Sequence, residues 1–360
     1  MIRVLNKSFQ LIGFIENLES LIWIERYQEP GEFEIYSSFS TQLYNLLQPD
    51  YFLIHSEFQS IMIIESIKID GTSDAGYKIV SKGRSIESML DRRIILRQIL
   101  IDSSLQAGIK SILNANVINS IYPARNFPNF TFVDSTDPLV TTPTLKAQYY
   151  SEGLLEVIVN LLKQSGLGFK IRFDDNYHMK FYLYSGVDRT YSQTTNNFVV
   201  FSPEFDNLKS SEFLHTTRYK KTYALVSGDP TGLTAPERVE VGGNYDPGDT
   251  GGFFLWEIFV DASDISRYLE GTTTLQNAAT YTAQLTQRGN ETLAVYRKIT
   301  QFDGKVELTD SYKYGVDFFL GDIIQMVDYF GHYTDAQILE MTISDNLSGR
   351  TMYPTLKSSG

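Results

Sequence analysis

The residue types that most often carry chemistry are sparse and scattered in this sequence. The four histidines are His55, His178, His215 and His332, and no two of them stand at HxH or HExxH spacing. A histidine metal site would need ligands from distant segments, so we interpret the four as isolated strand or loop residues. The absence of cysteine excludes disulfides, iron–sulfur clusters, thiolate zinc sites and thiol nucleophiles.

Motifs for nucleotide binding and hydrolysis are also absent from the sequence. There is no GxxxxGK[ST] phosphate loop, no GxGxxG after a strand and no GxSxG elbow. A Ser-His-Asp triad is recognised by its geometry, and nothing in the sequence points to one. We therefore predict no catalytic, cofactor-binding or metal-binding residues, and no cofactor.

Two acidic loops contain the hard oxygen ligands that calcium prefers. They are Asp174-Asp175-Asn176 and Asp246–Asp249, and neither fits the twelve-residue calcium loop that ends in Glu. Asp and Asn are common in turns for conformational reasons, so we interpret both loops as structural turns. A catalytic carboxylate pair needs a fixed separation in space, and 43 Asp and Glu residues single out no pair.

The charge balance argues against stable nucleic-acid binding. The 360 residues include 31 Lys and Arg against 43 Asp and Glu, which gives a net charge of −12. Affinity for phosphate comes mainly from Lys and Arg, so an acidic chain is a poor nucleic-acid binder. The basic pairs Lys220-Lys221 and Arg92-Arg93 indicate local ion pairs or interface contacts instead.

The composition is that of a globular protein rich in strands. Hydrophobic residues make up 42% and charged residues 21%, and there are 23 Tyr and 23 Phe. Aromatic residues fit half-buried strands, which we favour over a carbohydrate-binding or protein-binding face. The N-terminus lacks a secretory signal, and the apolar stretch Leu154–Leu162 is far too short to span a bilayer. We predict no stable membrane insertion.

The elements that would position these residues are strands near both ends and helices between them. Residues 1–95 show strand patterns. A helix is predicted at about 151–165, capped by Ser151 and closed by Gly166, next to a hairpin at 169–183. A second helical stretch, Asp264–Arg288, is predicted to stop at Gly289.

One pattern occurs near both ends of the chain. Pro49–Ile54 followed by Ile63-Ile64-Glu65 resembles Gly321–Met326 followed by Ile338-Leu339-Glu340. In this alignment Asp50 corresponds to Asp322. The echo leaves two interpretations open: a turn, a strand and a second strand recur by chance, or the chain contains a duplicated β-domain with one copy near each terminus.

Three segments carry a family resemblance. The first is Tyr77–Ser85 with Met89–Ile95, the second is Arg288-Gly289 with Leu293-Ala294, and the third is Tyr314–Ile324. Together they resemble the hub protein of siphophage tail tips, a family that includes the N-terminal hub region of tail-associated lysins. The similarity extends from near residue 1 to about residue 345.

The resemblance implies a phage tail hub fold, α+β and mainly β. It implies two related β-barrel-like domains with inserted small α+β and helical units. We predict a first hub domain at 1–95, an α+β domain at 96–205, a second hub domain at 206–262 with 297–360, and a helical insertion at 263–296. The Gly and Asp residues of the third segment are then expected to form turns before a barrel strand.

The resemblance also implies a function. It predicts a homotrimeric tail-tip or baseplate hub that joins a sixfold tail tube or distal-tail ring to a threefold tip and takes part in host attachment and DNA ejection. Expected partners are the distal tail or tail tube protein, the tape measure protein, and a distal fibre, spike or receptor-binding protein. DNA would be present only in transit, repelled by acidic residues that line the lumen. The protein would be made in the host cytoplasm and reside in the virion.

Two other functions stay open at this point. Tail-associated lysins continue into a lytic domain, whereas this sequence ends at Gly360, so we expect no enzyme activity. The alternatives are a peptidoglycan-degrading tail enzyme and a receptor-binding module that uses Tyr and Phe to stack on cell-wall glycan.

Overall fold

The computed structural model describes residues 1–72, 76–231, 235–249, 251–306, 312–327, 329 and 333–358. Strands dominate the described residues, which confirms the prediction of an α+β, mainly β fold. The strands are β1 (Ile2–Leu5), β2 (Leu11–Ile15), β3 (Ser20–Arg26), β4 (Glu32–Ser38), β5 (Phe52–His55), β6 (Ile61–Thr72), β7 (Gly76–Ser85), β8 (Ile99–Ser104), β9 (Phe130–Val133), β10 (Thr144–Tyr149), β11 (Gly168–Phe173), β12 (Met179–Tyr184), β13 (Val200–Phe201), β14 (Leu208–Thr216), β15 (Tyr223–Ser227), β16 (Arg238–Gly242), β17 (Glu257–Asp261), β18 (Ile299–Val306), β19 (Ile323–Val327), β20 (Tyr333–Asn346) and β21 (Gly349–Ser358).

Helices are fewer and lie mostly in the middle of the chain. The α-helices are α1 (Thr41–Leu46), α2 (Leu105–Leu113), α3 (Pro138–Thr141), α4 (Leu154–Ser165) and α5 (Ala278–Val295). Short 3₁₀ segments lie at Ile86–Arg92, Pro123–Arg125, Pro203–Phe205 and Gly252–Phe254, and a π-helical turn follows α2 at Asn114–Ile118. No helix among the described residues is long and apolar enough to cross a membrane.

The chain divides into two compact units, each assembled from separate segments. Unit 1 comprises Met1–Met89, Gly168–Leu214 and Thr300–Gly360, and unit 2 comprises Leu90–Leu167 and His215–Ile299. These boundaries differ from those of the predicted domains. The hairpin β11–β12 belongs to unit 1 while α4 belongs to unit 2, and β15–β17 belong to unit 2 rather than with 300–360.

Unit 1 is built on one large, mainly antiparallel sheet, in which β13 and β19 pair in parallel. Its strand order is β14-β18-β21-β20-β3-β4-β7-β6-β5-β1-β2, with β19 beside β20 and β13 beside β19. In β3, buried and partly buried residues alternate strictly because every second side chain faces the core. Trp23 on β3, Ile35 on β4 and Met341 and Ile343 on β20 are fully buried in that core.

Helix α4 begins later than its sequence predicts. Its N-cap is Gly153, which offers no side-chain hydrogen bond, and Ser151 has a positive φ of 62°. The predicted cap at Ser151 is therefore wrong. The predicted closure at Gly166 is confirmed, because Gly166 adopts the left-handed conformation and its N–H bonds to the Leu162 carbonyl.

Unit 2 contains a three-stranded sheet in the order β16-β15-β17, and α5 packs on it. Ala224, Val226 and Val241 from the sheet meet Leu285 of the helix in a buried cluster. The helix passes through Gly289, so the predicted stop there is wrong. A Cβ at Gly289 would lie 2.6 Å from the Val241 side chain and 2.9 Å from that of Val226, so this glycine permits close helix–sheet contact.

Candidate functional site

Three of the four histidines lie in the described ranges, and each has its own local environment. His55 is buried and stacks on Phe58 at 3.9 Å, and burial lowers its pKa to about 4. His178 Nδ1 lies 3.3 Å from Asp174, His215 lies on β14, and His332 is outside the described residues. Within the described ranges, no group of three or more His, Asp and Glu side chains is placed to hold a metal ion.

The Asp174-Asp175-Asn176 loop is the turn of the β11–β12 hairpin. Asp174 Oδ1 accepts the N–H groups of Asn176 and His178, each at 2.9 Å. The hydrogen bond from the His178 backbone is the largest cause that lowers the pKa of Asp174. Asp174 Oδ1 therefore holds the turn, which agrees with the interpretation of this loop as a structural turn.

The Asp246–Asp249 loop is neutralised by lysines of unit 2. Lys220 Nζ lies 2.5 Å from Asp246 and 3.3 Å from Asp249, and Lys298 Nζ lies 2.8 Å from Asp246. Hydrogen bonds from the two lysines lower the pKa of Asp246 to about 2. The prediction that Lys220 forms a local ion pair is confirmed.

Residues of the first family segment hold β7 close to its neighbours in the sheet. A Cβ at Gly83 on β7 would lie 1.8 Å from the Ile63 carbonyl oxygen, so no larger residue fits there. Arg84 forms an ion pair with Glu65 of β6 at 2.9 Å. Ser85 Oγ accepts the Gly31 N–H at 2.8 Å. These residues therefore hold the sheet together.

The second family segment lies in a buried ion network of unit 2. Arg288 Nη2 lies 2.8 Å from Glu152 and 2.9 Å from Asp264, and its Nε lies 3.8 Å from Glu291. Tyr149 donates its hydroxyl hydrogen to Glu291 at 2.5 Å. One guanidinium therefore connects the start of α4, the loop before α5, α5 itself and β10.

Burial and the neighbouring charges shift the pKa values of the groups in this network. Burial raises the pKa of Glu152 to about 7, against the opposing charge of Arg288. Burial likewise raises the pKa of Glu291. Burial disfavours the charged form of Arg288, yet Glu152 and Asp264 outweigh that effect and raise the pKa of Arg288. Sequence reasoning missed the network, because its carboxylates lie far apart in the chain.

The third family segment ends in a buried aspartate that closes a turn before β19. Asp322 accepts the Phe319 N–H at 3.0 Å and the Val187 N–H at 2.8 Å. Its carboxylate also receives the Arg189 Nε–H at 2.6 Å. Gly321 has a φ of 89°, and a Cβ there would lie 2.3 Å from the Tyr27 ring. These contacts close the turn, pair Asp322 with Arg189 and pack Gly321 against Tyr27.

The sheet of unit 1 contains the same arrangement twice, first around β6 and β7. Asp50, with a φ of 65°, donates its N–H to the Ile64 carbonyl at 2.8 Å, and the Ile64 N–H returns to the Tyr51 carbonyl at 2.9 Å. The β6–β7 register then shifts between Ile64 and Ser66, which marks a bulge at the intervening residue. The hairpin continues as far as Thr72 paired with Gly76.

The second copy, around β20 and β21, repeats each of these features. Gly321 donates its N–H to the Ile338 carbonyl at 2.7 Å, and the Ile338 N–H returns to the Asp322 carbonyl at 3.0 Å. The β20–β21 register shifts between Ile338 and Glu340. The hairpin then continues as far as Asn346 paired with Gly349.

The outer neighbours of the two hairpins also correspond. In the first copy, Phe33 of β4 pairs with Gly83, the partner of Ile64. In the second copy, Phe302 of β18 pairs with Leu356, the partner of Ile338. The predicted echo is therefore present as matched structure, but its alignment is wrong by one residue. The conformation of the turn matches Asp50 with Gly321 rather than with Asp322.

Three solved structures of tail proteins have a similar fold. A prophage tail protein, gp18, from Listeria monocytogenes aligns with a TM-score of 0.53 and 14% identity over 100% of this chain and 94% of its own. A tail protein from Neisseria meningitidis aligns with a TM-score of 0.57 and 11% identity over 99% of this chain and 96% of its own. The 43 kDa tail protein of prophage MuSo2 from Shewanella oneidensis aligns with a TM-score of 0.54 and 13% identity over 99% of this chain and 97% of its own.

The sequence itself matches a family model along nearly its full length. The model of the Siphovirus ReqiPepy6 Gp37-like proteins covers residues 1–356. No curated protein matches the sequence. The family model and the fold therefore agree with the resemblance to siphophage tail proteins.

Proposed function

Because this chain belongs to the Siphovirus ReqiPepy6 Gp37-like family of siphophage tail proteins, we propose that it is the trimeric hub of a tail tip or baseplate. The hub joins a sixfold tail tube or distal-tail ring to a threefold tip. It resides in the virion after synthesis in the host cytoplasm.

The observation that carries this proposal is the duplication within unit 1. The β6–β7 and β20–β21 hairpins share a turn, a bulge and an outer neighbour strand. Three chains with two matching copies each would present six similar hairpins around one axis. Closed rings need a repeated interface, and such a trimer could meet sixfold and threefold partners at once.

The charge of the chain supports DNA passage through the proposed ring. Each chain carries a net charge of −12, so three chains carry about three times that value. Acidic groups facing a lumen would repel phosphates and favour transit over binding. Partners are a distal tail or tail tube protein, the tape measure protein, and a fibre, spike or receptor-binding protein.

The contacts of the three family segments support a structural role rather than an enzymatic one. Gly83 and Gly289 permit close packing, and Asp322 closes a turn. The absence of catalytic residues remains a prediction. A zymogram of the purified chain on peptidoglycan tests it, because a cleared band would favour the enzyme alternative.

The mass of the purified protein in solution tests the hub proposal. Light scattering is measured at several concentrations, alone and with the distal-tail partner. A trimer, or a monomer that becomes a trimer on the partner ring, is the expected result. A monomer under every condition overturns the proposal and favours an enzyme or a glycan-binding module.

A further inference from the structure

We propose that the ring closes by strand pairing between copies of this chain. Strand β14 of one chain adds to the outer half of β6, Ser66–Gly71, of the next chain. The inference rests on the proposed hub, and it names the edges that join the three chains.

The template for this contact already exists inside one chain. The outer half of β20 pairs with β3 in an antiparallel register from Glu340 opposite Arg26 to Asn346 opposite Ser20. The inner half of β20 pairs with β19 instead. One edge of β20 is therefore shared between two strands, and β3 connects the first copy to the second.

Among the described strands, the matching strand β6 has a counterpart of β19 but no counterpart of β3. Its inner half, Ile61–Ile63, pairs with β5, as the inner half of β20 pairs with β19. Within the described residues, no strand pairs with the corresponding edge of Ser66–Gly71. An open edge beside a ladder of strands is a site where another strand can add.

Equivalent apolar side chains on β6 and β20 differ in how far they are exposed. The shared bulge aligns Ile67 with Met341 and Ile69 with Ile343. Met341 and Ile343, on the half of β20 that pairs with β3, are 0% exposed, whereas Ile67 is only partly buried and Ile69 is 43% exposed. The same apolar alternation is thus covered in one copy and open in the other.

Strand β14 is the counterpart of β3 and ends the sheet. In the first copy the order outward from the hairpin is β7, β4, β3, and in the second it is β21, β18, β14. Strand β3 continues to β20, whereas β14 is the last strand in the order among the described residues. Leu214 on β14 is 45% exposed, so this edge also has apolar surface to bury.

Each chain therefore carries one unmatched edge of each kind. Pairing β14 with the next chain's β6 makes a junction like the internal β3–β20 junction. Three internal and three intermolecular junctions would then alternate around a closed ring, without a free edge of either kind. The internal β3–β20 junction therefore indicates that a second copy of this chain pairs with the open edge of β6.

Cysteine cross-linking tests the pairing, because the natural chain contains no cysteine. The shared bulge aligns Asp70 with Ser344, which lies opposite Ile22 in the internal junction. Asp70→Cys is combined with one cysteine at each position from Leu208 to Leu214. Oxidation is expected to give reducible dimers and trimers at one register, since opposed cysteines in antiparallel strands come within disulfide reach.

The matched control places the cysteines in the internal junction. Ile22→Cys with Ser344→Cys is expected to oxidise within one chain and to run as a monomer. If this control oxidises and light scattering shows a trimer, but no β14 position links chains, the strand-pairing inference is wrong and the hub proposal stands. If the protein is always a monomer, both are wrong.

A second variant tests the exposed apolar position without a cross-link. Ile69→Lys places a charge where β14 would bury the strand, while Leu11→Lys makes the same change on β2, at the other end of the sheet. Ile69→Lys is expected to weaken trimer assembly at least tenfold, with the circular dichroism of the monomer unchanged. Assembly equal to that of Leu11→Lys would contradict the inference.

Discussion

Arg288 illustrates how single residues hold unit 2 together. Its side chain is mostly buried, and three carboxylates from separate segments surround it. A buried charge is tolerated when partners and hydrogen bonds replace water, and the removal of one partner leaves the others unpaired. The stability of unit 2 therefore depends on one side chain more than its position in the sequence suggests.

Arg288→Met is expected to lower the free energy of unfolding by about 3–5 kcal/mol, because it leaves buried carboxylates without a cation. Urea denaturation followed by circular dichroism measures the change. The matched control is Lys110→Met, which removes an exposed ion pair with Asp134 in the same unit. The control should lose less than about 1 kcal/mol. Equal losses in the two variants would contradict the role of burial.

Glu152 makes the stability of unit 2 depend on pH near neutrality. Burial raises its pKa from 4.5 to about 7, so between these values the folded state binds more protons than the unfolded state. The free energy of unfolding should therefore fall as pH rises from 4.5 to 7, by about 1–3 kcal/mol. Glu152→Gln is expected to weaken this dependence, and Glu291, whose pKa burial also raises, retains the remainder.

Thermal denaturation between pH 4.5 and 8 measures the effect of Glu152. The control variant is Glu156→Gln, which changes an exposed glutamate in the first turn of the same helix. It should keep the pH dependence of the natural protein. A slope that Glu152→Gln leaves unchanged would show that another group causes it.

In helix α5, packing against the sheet explains a glycine that helix propensity alone disfavours. Glycine in a helix interior costs about 1 kcal/mol relative to alanine. At Gly289, however, a Cβ would press on Val241 and Val226 of the sheet below. The close approach of helix and sheet outweighs the preference of the isolated helix.

Gly289→Ala is expected to destabilise unit 2 by about 1–2 kcal/mol, because overpacking outweighs the gain in helix propensity. In a Val241→Ala background the nearest contact disappears while the one to Val226 at 2.9 Å remains, so Gly289→Ala should destabilise less. A double-mutant cycle in urea measures the difference. Destabilisation of the same size in both backgrounds would contradict the packing argument.

The matched hairpins show a second effect at the scale of elements. Asp50 and Gly321 occupy equivalent turns although their residue types differ, because aspartate also tolerates a positive φ. After the bulge at Ile338, Met341 and Ile343 stay in the core, whereas the equivalent Ile67 and Ile69 after Ile64 are partly buried and exposed. The two copies thus share geometry where they share little sequence.

At the scale of the whole molecule, the net charge of −12 is expected to make binding to DNA weak. In a gel mobility assay at about 0.15 M salt, we expect a dissociation constant for duplex DNA weaker than about 10⁻⁴ M, since counterion release requires Lys and Arg contacts. A basic DNA-binding protein serves as the positive control. Micromolar affinity that falls steeply with salt would contradict passage without binding.

The sequence by itself determined the family, the mainly β character and the residues of three segments. These features depend on local patterns: the strand alternation, the Gly and Asp of the turns, and Gly166 at the end of α4. Local rules suffice there, because each feature involves neighbours along the chain.

The tertiary structure alone decided where the units divide, which carboxylates surround Arg288, and why Gly289 lies inside a helix. It also decided the alignment of the duplication, since only the hydrogen bonds that join Asp50 to Ile64 and Gly321 to Ile338 identify the equivalent residues. Ser151 failed as a cap because the chain turns there with a positive φ before α4 begins. Each of these outcomes depends on contacts between distant segments, or on backbone geometry that residue type does not specify.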